Sequence, residues 1–122
     1  MAGTRWVKVD TSYFRNPKIT VLTPTARLLH LASIMYAADQ LTDGAITPRA
    51  LDGLAADACI PKRSVPARVA ELEEAGLWER NGKGWWLHDF AQMNAQATRT
   101  AVQKQRARWA SRQAQHRHGV TP

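Results

Sequence analysis

Hydrophobic and polar positions along the chain divide it into short strands and amphipathic helices. Trp6-Val7-Lys8-Val9-Asp10 alternates with a period of two and predicts a strand. Tyr13 and Phe14 follow as expected core anchors, with a turn at Asn16-Pro17. From Thr23 the period lengthens. Leu28, Leu31, Ala32 and Met35, flanked by Leu29 and Tyr36, predict a helix to about Gln40 with that face inward. Thr23 is its expected cap, and Pro24 fits the first helical position, where an N–H has no partner anyway. Thr42-Asp43-Gly44 breaks the helix and leaves Ala45-Ile46 as a very short strand.

Thr47-Pro48 repeats the cap-and-proline start and opens a helix to about Asp57, with Leu51, Leu54 and Ala55 inward. Ala58-Cys59-Ile60 makes a tight connection, with Cys59 expected to be a small buried hydrophobe. A third helix lies within Pro61–Ala75, with Val65, Val69 and Leu72 inward and Gly76 as its closing residue. Pro66 has no N–H, so that helix is expected to start near Ser64. Leu77–Arg80 and Trp85–His88 flank Asn81-Gly82-Lys83-Gly84 and predict a hairpin. Only one of Trp85 and Trp86 can face inward on a strand. The predicted class is mainly α with a small β-hairpin, an α+β fold.

Charge changes the picture at Phe90. The chain has 122 residues and a formal charge of +7, from 17 Lys and Arg against 10 Asp and Glu. All the acids lie within residues 1–89, whereas residues 90–122 carry Arg99, Lys104, Arg106, Arg108, Arg112 and Arg117 with no acid. A nearly neutral body, residues 1–89, thus carries a basic helical extension, 90–115, ending in a tail, 116–122, expected to be disordered. Phe90 and Met93 are expected to dock the start of the extension on the body. Arg dominates the cations, and its planar fork suits phosphate oxygens. A polyanion partner is the leading implication, nucleic acid first, and a merely solubilising tail the alternative.

The stretches Ile46–Ala55, Ile60–Val65 and Val69–Arg80 carry a resemblance. Their order of helix, tight turn, helix and hairpin resembles winged helix-turn-helix DNA-binding proteins. With the preceding helix the body is similar to N-terminal domains of phage replication initiators and DnaD-like replisome organisers. The resemblance implies a double-stranded DNA partner, a bacterial cytoplasm, and a role in replication initiation or transcriptional regulation. It also implies that the third helix is the recognition helix, leading into the major groove with its N-terminal residues.

The residues of that helix start are Lys62, Arg63, Ser64 and Arg68, followed by Glu71, Glu73 and Glu74. Of its outward positions only Arg63 has reach and hydrogen-bonding capacity, which predicts affinity from phosphates and modest sequence reading. Arg49 is a candidate phosphate clamp, and Arg80, Asn81 and Lys83 are candidates at the wing tip. Arg99, Lys104, Arg106, Arg108 and Arg112 complete the expected DNA-binding set. Trp109, set among arginines, is open to base stacking, docking on the body or burial in a dimer.

Other chemistry is thin. His30 and His88 have no partnered Ser or Cys, and the pair His116 and His118 is too sparse for a metal site. Neither a glycine-rich phosphate loop nor a catalytic carboxylate pair is present, so no enzymatic activity, cofactor or metal is expected. A single cysteine excludes an internal disulfide. No apolar run reaches the ~20 residues of a membrane helix, and Met1–Asp10 lacks a signal peptide's apolar stretch. Two alternatives accompany DNA binding. One is a self-assembly or protein-interaction module of a replication complex, with a homodimer or a replication or host protein as partner. The other is RNA binding through the Arg-rich tail.

Overall fold

The computed structural model describes residues 5–120 and is mainly helical, with one small antiparallel sheet. The helices are α1 (Pro17–Thr20), α2 (Pro24–Gln40), α3 (Pro48–Asp57), α4 (Val65–Glu74), α5 (Phe90–Met93) and α6 (Arg99–Val120). The strands are β1 (Ala45–Ile46), β2 (Trp78–Asn81) and β3 (Gly84–Leu87), in the order β1-β3-β2. The hairpin β2–β3 pairs Trp78 with Leu87 and Asn81 with Gly84, and β1 closes the other side of β3 by pairing Ile46 with Trp85.

Helix starts follow local chemistry. α2 and α3 each take proline in the first turn, and Thr47 Oγ1 accepts the Ala50 N–H at 3.1 Å. α4 begins at Val65 with Ser64 at the cap position and Pro66 in its first turn, although the Ser64 side chain makes no capping bond. Lys62–Ser64 form a 3-10 turn ahead of it. Gly76, at φ +76°, takes the left-handed position after α4, and the Leu77 N–H closes onto the Leu72 carbonyl. Cys59 takes the same position after α3 at φ +58°. That conformation turns its side chain outward between buried Ala58 and Ile60, so the expected burial of Cys59 does not hold.

The core forms where α2 packs against α3 and α4 and the sheet closes one side. The buried residues of α2 are Ala26, Leu29, His30, Ala32, Ser33, Ala37 and Ala38, so Leu29 and Ala32 of the expected face lie inside and the buried side is centred away from Leu28 and Met35. Leu28 and Met35 remain 49% and 55% exposed. Ser33 is held inside by Trp78, whose Nε1–H donates to its Oγ at 3.2 Å. Phe14 and Met93 are likewise exposed, whereas Tyr13 packs against the core and Phe90 lies within it. Trp85 is buried and Trp86 is not, as alternation along a strand requires.

The N-terminal segment is no strand. Its polar backbone groups bind helix ends instead: Lys8 N–H donates to Asn94 Oδ1 at 2.6 Å, and Gln96 Nε2 donates to the Trp6 carbonyl at 3.4 Å. Arg5 donates to the last carbonyls of α2, those of Ala38 and Asp39. Residues 5–10 therefore form a strap between the end of α2 and the chain around α5. The basic extension is not one helix either. It breaks at buried Asn94 and at Thr98, and α6 starts where the Asp43 carboxylate accepts the Arg99 N–H at 2.7 Å. α6 then continues to Val120, through the first part of the segment expected to be disordered; Thr121 and Pro122 lie outside the described residues.

Gly84 shows how tightly the hairpin meets β1. A Cβ there would stand 2.3 Å from the Ile46 carbonyl oxygen, a backbone atom that cannot step aside. Gly84→Ala is expected to cost about 2 kcal/mol by forcing β1 from β3, read as a lower urea midpoint with unchanged slope.

Candidate nucleic-acid interface

The exposed cations expected to bind a polyanion fall mainly in two regions. The first surrounds the start of α4. Lys62 and Arg63 are exposed on the 3-10 turn, and Arg49 is exposed in the first turn of α3. None of the three enters an ion pair among the described residues. At the hairpin tip Asn81 and Lys83 are exposed beside Gly82, which holds φ +60°.

Arg68 was expected in this set but faces the body. Its Nη1 donates to Thr23 Oγ1 at 2.8 Å, and its Nε lies 3.0 Å from Glu71 Oε2. The Glu71 carboxylate in turn accepts the Thr23 N–H and hydroxyl, each at 2.8 Å. A carboxylate from α4 thus caps the positive N-terminus of α2, and Arg68 balances its charge. Thr23 stands at the cap position as expected, but its hydroxyl serves this network rather than its own helix. Arg80 is also engaged: it donates to Glu73 Oε1 at 3.2 Å and lies over the Trp85 ring at 5.6 Å. Glu73 accepts from Trp85 Nε1 as well, at 2.8 Å, so it ties the hairpin to α4. Arg68 and Arg80 hold helix to helix and hairpin to helix.

The second region is a groove of about 890 Å³ between the N-terminal strap and α6. Arg5, Trp6, Arg106, Arg108, Trp109 and Arg112 line it, with no acidic residue on its walls. One wall follows from helical spacing. Val102, Gln105, Arg106, Trp109 and Arg112 share one side of α6, and Val102 anchors that side in the body. Lys104 and Arg99 are exposed but lie outside the groove. Sequence reasoning missed Arg5 and Trp6, because their partners come from the opposite end of the chain. Trp6 stands 62% exposed, with the Lys8 ammonium 5.9 Å from its ring centre.

A smaller cavity of about 320 Å³ lies on another part of the body, bordered by Tyr13, His30, Leu87, His88 and Phe90. Tyr13 Oη and His30 Nδ1 are joined by a hydrogen bond of 2.6 Å. Burial holds both in their neutral forms: it pushes the His30 imidazolium down to about 4 and the Tyr13 phenol up to about 12. Both His88 ring nitrogens meet carboxylates, Glu79 at 3.1 Å and Asp89 at 3.0 Å.

No helix among the described residues is long and apolar enough to cross a membrane. Comparison with protein-family models, curated proteins and solved structures finds no match for this chain.

Proposed function

We propose that the chain is a double-stranded DNA-binding module of winged-helix type, with affinity dominated by phosphate contacts and a role in replication initiation or transcriptional regulation. The observation that carries this reading is α6, whose exposed Lys104, Arg106, Arg108 and Arg112 have no carboxylate within their own helix. Like charges at i, i+4 repel within a helix, and a polyanion relieves that cost. The element order α2, β1, α3, α4, β2, β3 supports the winged-helix assignment. In this reading Lys62 and Arg63 place phosphates at the start of α4, with Ser64 beside them. Asn81 and Lys83 at the wing tip hold the adjacent backbone, and Arg49 clamps a further phosphate. α6 supplies most of the counterion release.

Two variants separate binding from stability. Lys62→Ala with Arg63→Ala removes two phosphate contacts. That change is expected to weaken duplex binding about 30-fold at ~0.15 M salt and to flatten the salt slope by roughly 1.8. Arg68→Ala breaks the Thr23–Glu71 network instead; it is expected to cost about 1–2 kcal/mol of stability and leave the slope unchanged. Fluorescence anisotropy on a labelled duplex, with urea unfolding of the same proteins, checks both. A steeper loss of DNA binding for Arg68→Ala than for the double variant contradicts the assignment.

A second reading, self-assembly, has its own observation. Leu28, half-buried Leu31 and Met35 form an apolar stripe along the outer side of α2. Leu28→Glu, compared with the unaltered chain by light scattering, tests whether that stripe joins two copies.

A further inference from the structure

The groove beside α6 holds more than phosphate-binding groups. Trp6 and Trp109 both line it and are 62% and 63% exposed, while Trp78 and Trp85 are buried. Phosphate binding gives two indole rings no work, and duplex DNA offers them little, because its base faces are stacked inside the helix. Unpaired bases present free faces, and flat aromatic side chains among arginines are the chemistry that receives them.

We propose that this groove takes unpaired nucleotides of a DNA strand. The bases stack on Trp109 and Trp6, and the phosphates lie against Arg106, Arg108 and Arg112. The inference rests on the nucleic-acid reading above and adds to it the state of the strand. The walls are placed for this task by independent anchors. Arg5 is held on the carbonyls of Ala38 and Asp39, and Gln96 holds the Trp6 carbonyl, so the strap carries Trp6 at a fixed place. Buried Val102 sets the rotation of α6, which puts Trp109 on the same side two turns further along. At about 890 Å³ the groove lies near the top of the ~300–1,000 Å³ range of ligand clefts. Gln96 and Gln105, also on its walls, offer amides to base edges.

The test is a titration of the full chain against a labelled thymidine oligomer of about 12 nucleotides and a duplex of matched length. Trp109→Ala is expected to weaken binding of the single strand about ten-fold or more while changing duplex binding less than about two-fold. Trp109→Phe keeps a smaller aromatic face and is expected to restore most of the loss. Trp86→Ala, an exposed indole outside the groove, is expected to change neither. Equal losses on single strand and duplex, or no loss on either, overturn the groove assignment and leave the duplex reading standing. Failure of the unaltered chain to bind either DNA overturns both. A uridine oligomer bound far more tightly than thymidine, or polyglutamate binding with the same dependence on Trp109, also overturns the assignment to a DNA strand.

Discussion

Replacing Lys104, Arg106, Arg108 and Arg112 together by glutamine is expected to weaken duplex binding about a thousand-fold at ~0.15 M salt. Each neutralised phosphate contributes a slope of roughly −0.9 to log K against log salt, so four contacts amount to about three decades at that concentration. All four side chains are exposed on α6, and none of them enters an ion pair among the described residues. Glutamine has nearly the helix propensity of lysine and arginine, so the helix itself is retained. The thermal midpoint should therefore move little while affinity collapses. A loss confined to a few-fold would mean that α6 solvates the chain rather than grips a polyanion.

Acid is expected to destabilise the body through His30. The ring is buried beside Tyr13, and burial lowers its proton affinity from the ordinary 6.5 to about 4. In the unfolded chain His30 takes up a proton as pH falls through about 6.5, whereas the folded form resists until about 4. Within that window the unfolded state binds more protons, so stability falls with falling pH and levels off below about 4. The full effect is about 3 kcal/mol. Urea unfolding at successive pH values should show this slope, and His30→Gln should remove it. The same slope in the variant would place the acid sensitivity in another group.

What the sequence made legible was local. Thr47-Pro48, Gly76 and the glycine-rich turn act on their immediate neighbours, and the helices and hairpin they predict are present. Choices decided by distant partners were not legible. Leu28 and Met35 outweigh Ser33 and Ala37 on any hydrophobic scale, yet Ser33 and Ala37 lie inside, where Ser33 accepts the N–H of the distant Trp78. Arg68 looks like a free cation until Thr23 and Glu71 are brought to it. The alternation at Trp6–Asp10 suits a strand, but the partners available are Asn94 and Gln96.

The candidate site divides in the same way. Lys62, Arg63, Lys83 and the cations of α6 are exposed where a reading of charge alone would put them. The sequence could not say that Trp6 and Trp109 share a groove, because the strap and α6 meet only in the folded chain. Charge placement along the chain marks α6 as the basic surface. Folding adds an aromatic surface by bringing Trp6 beside Trp109.

The central claim is that phosphate contacts from α6 and the start of α4 dominate binding, and the salt dependence of duplex affinity tests it most directly. With four contacts from α6, two from Lys62 and Arg63, and one each from Arg49 and Lys83, the intact chain should give a slope of roughly −7.2 in log K against log monovalent salt. A slope shallower than roughly −1 would contradict the account.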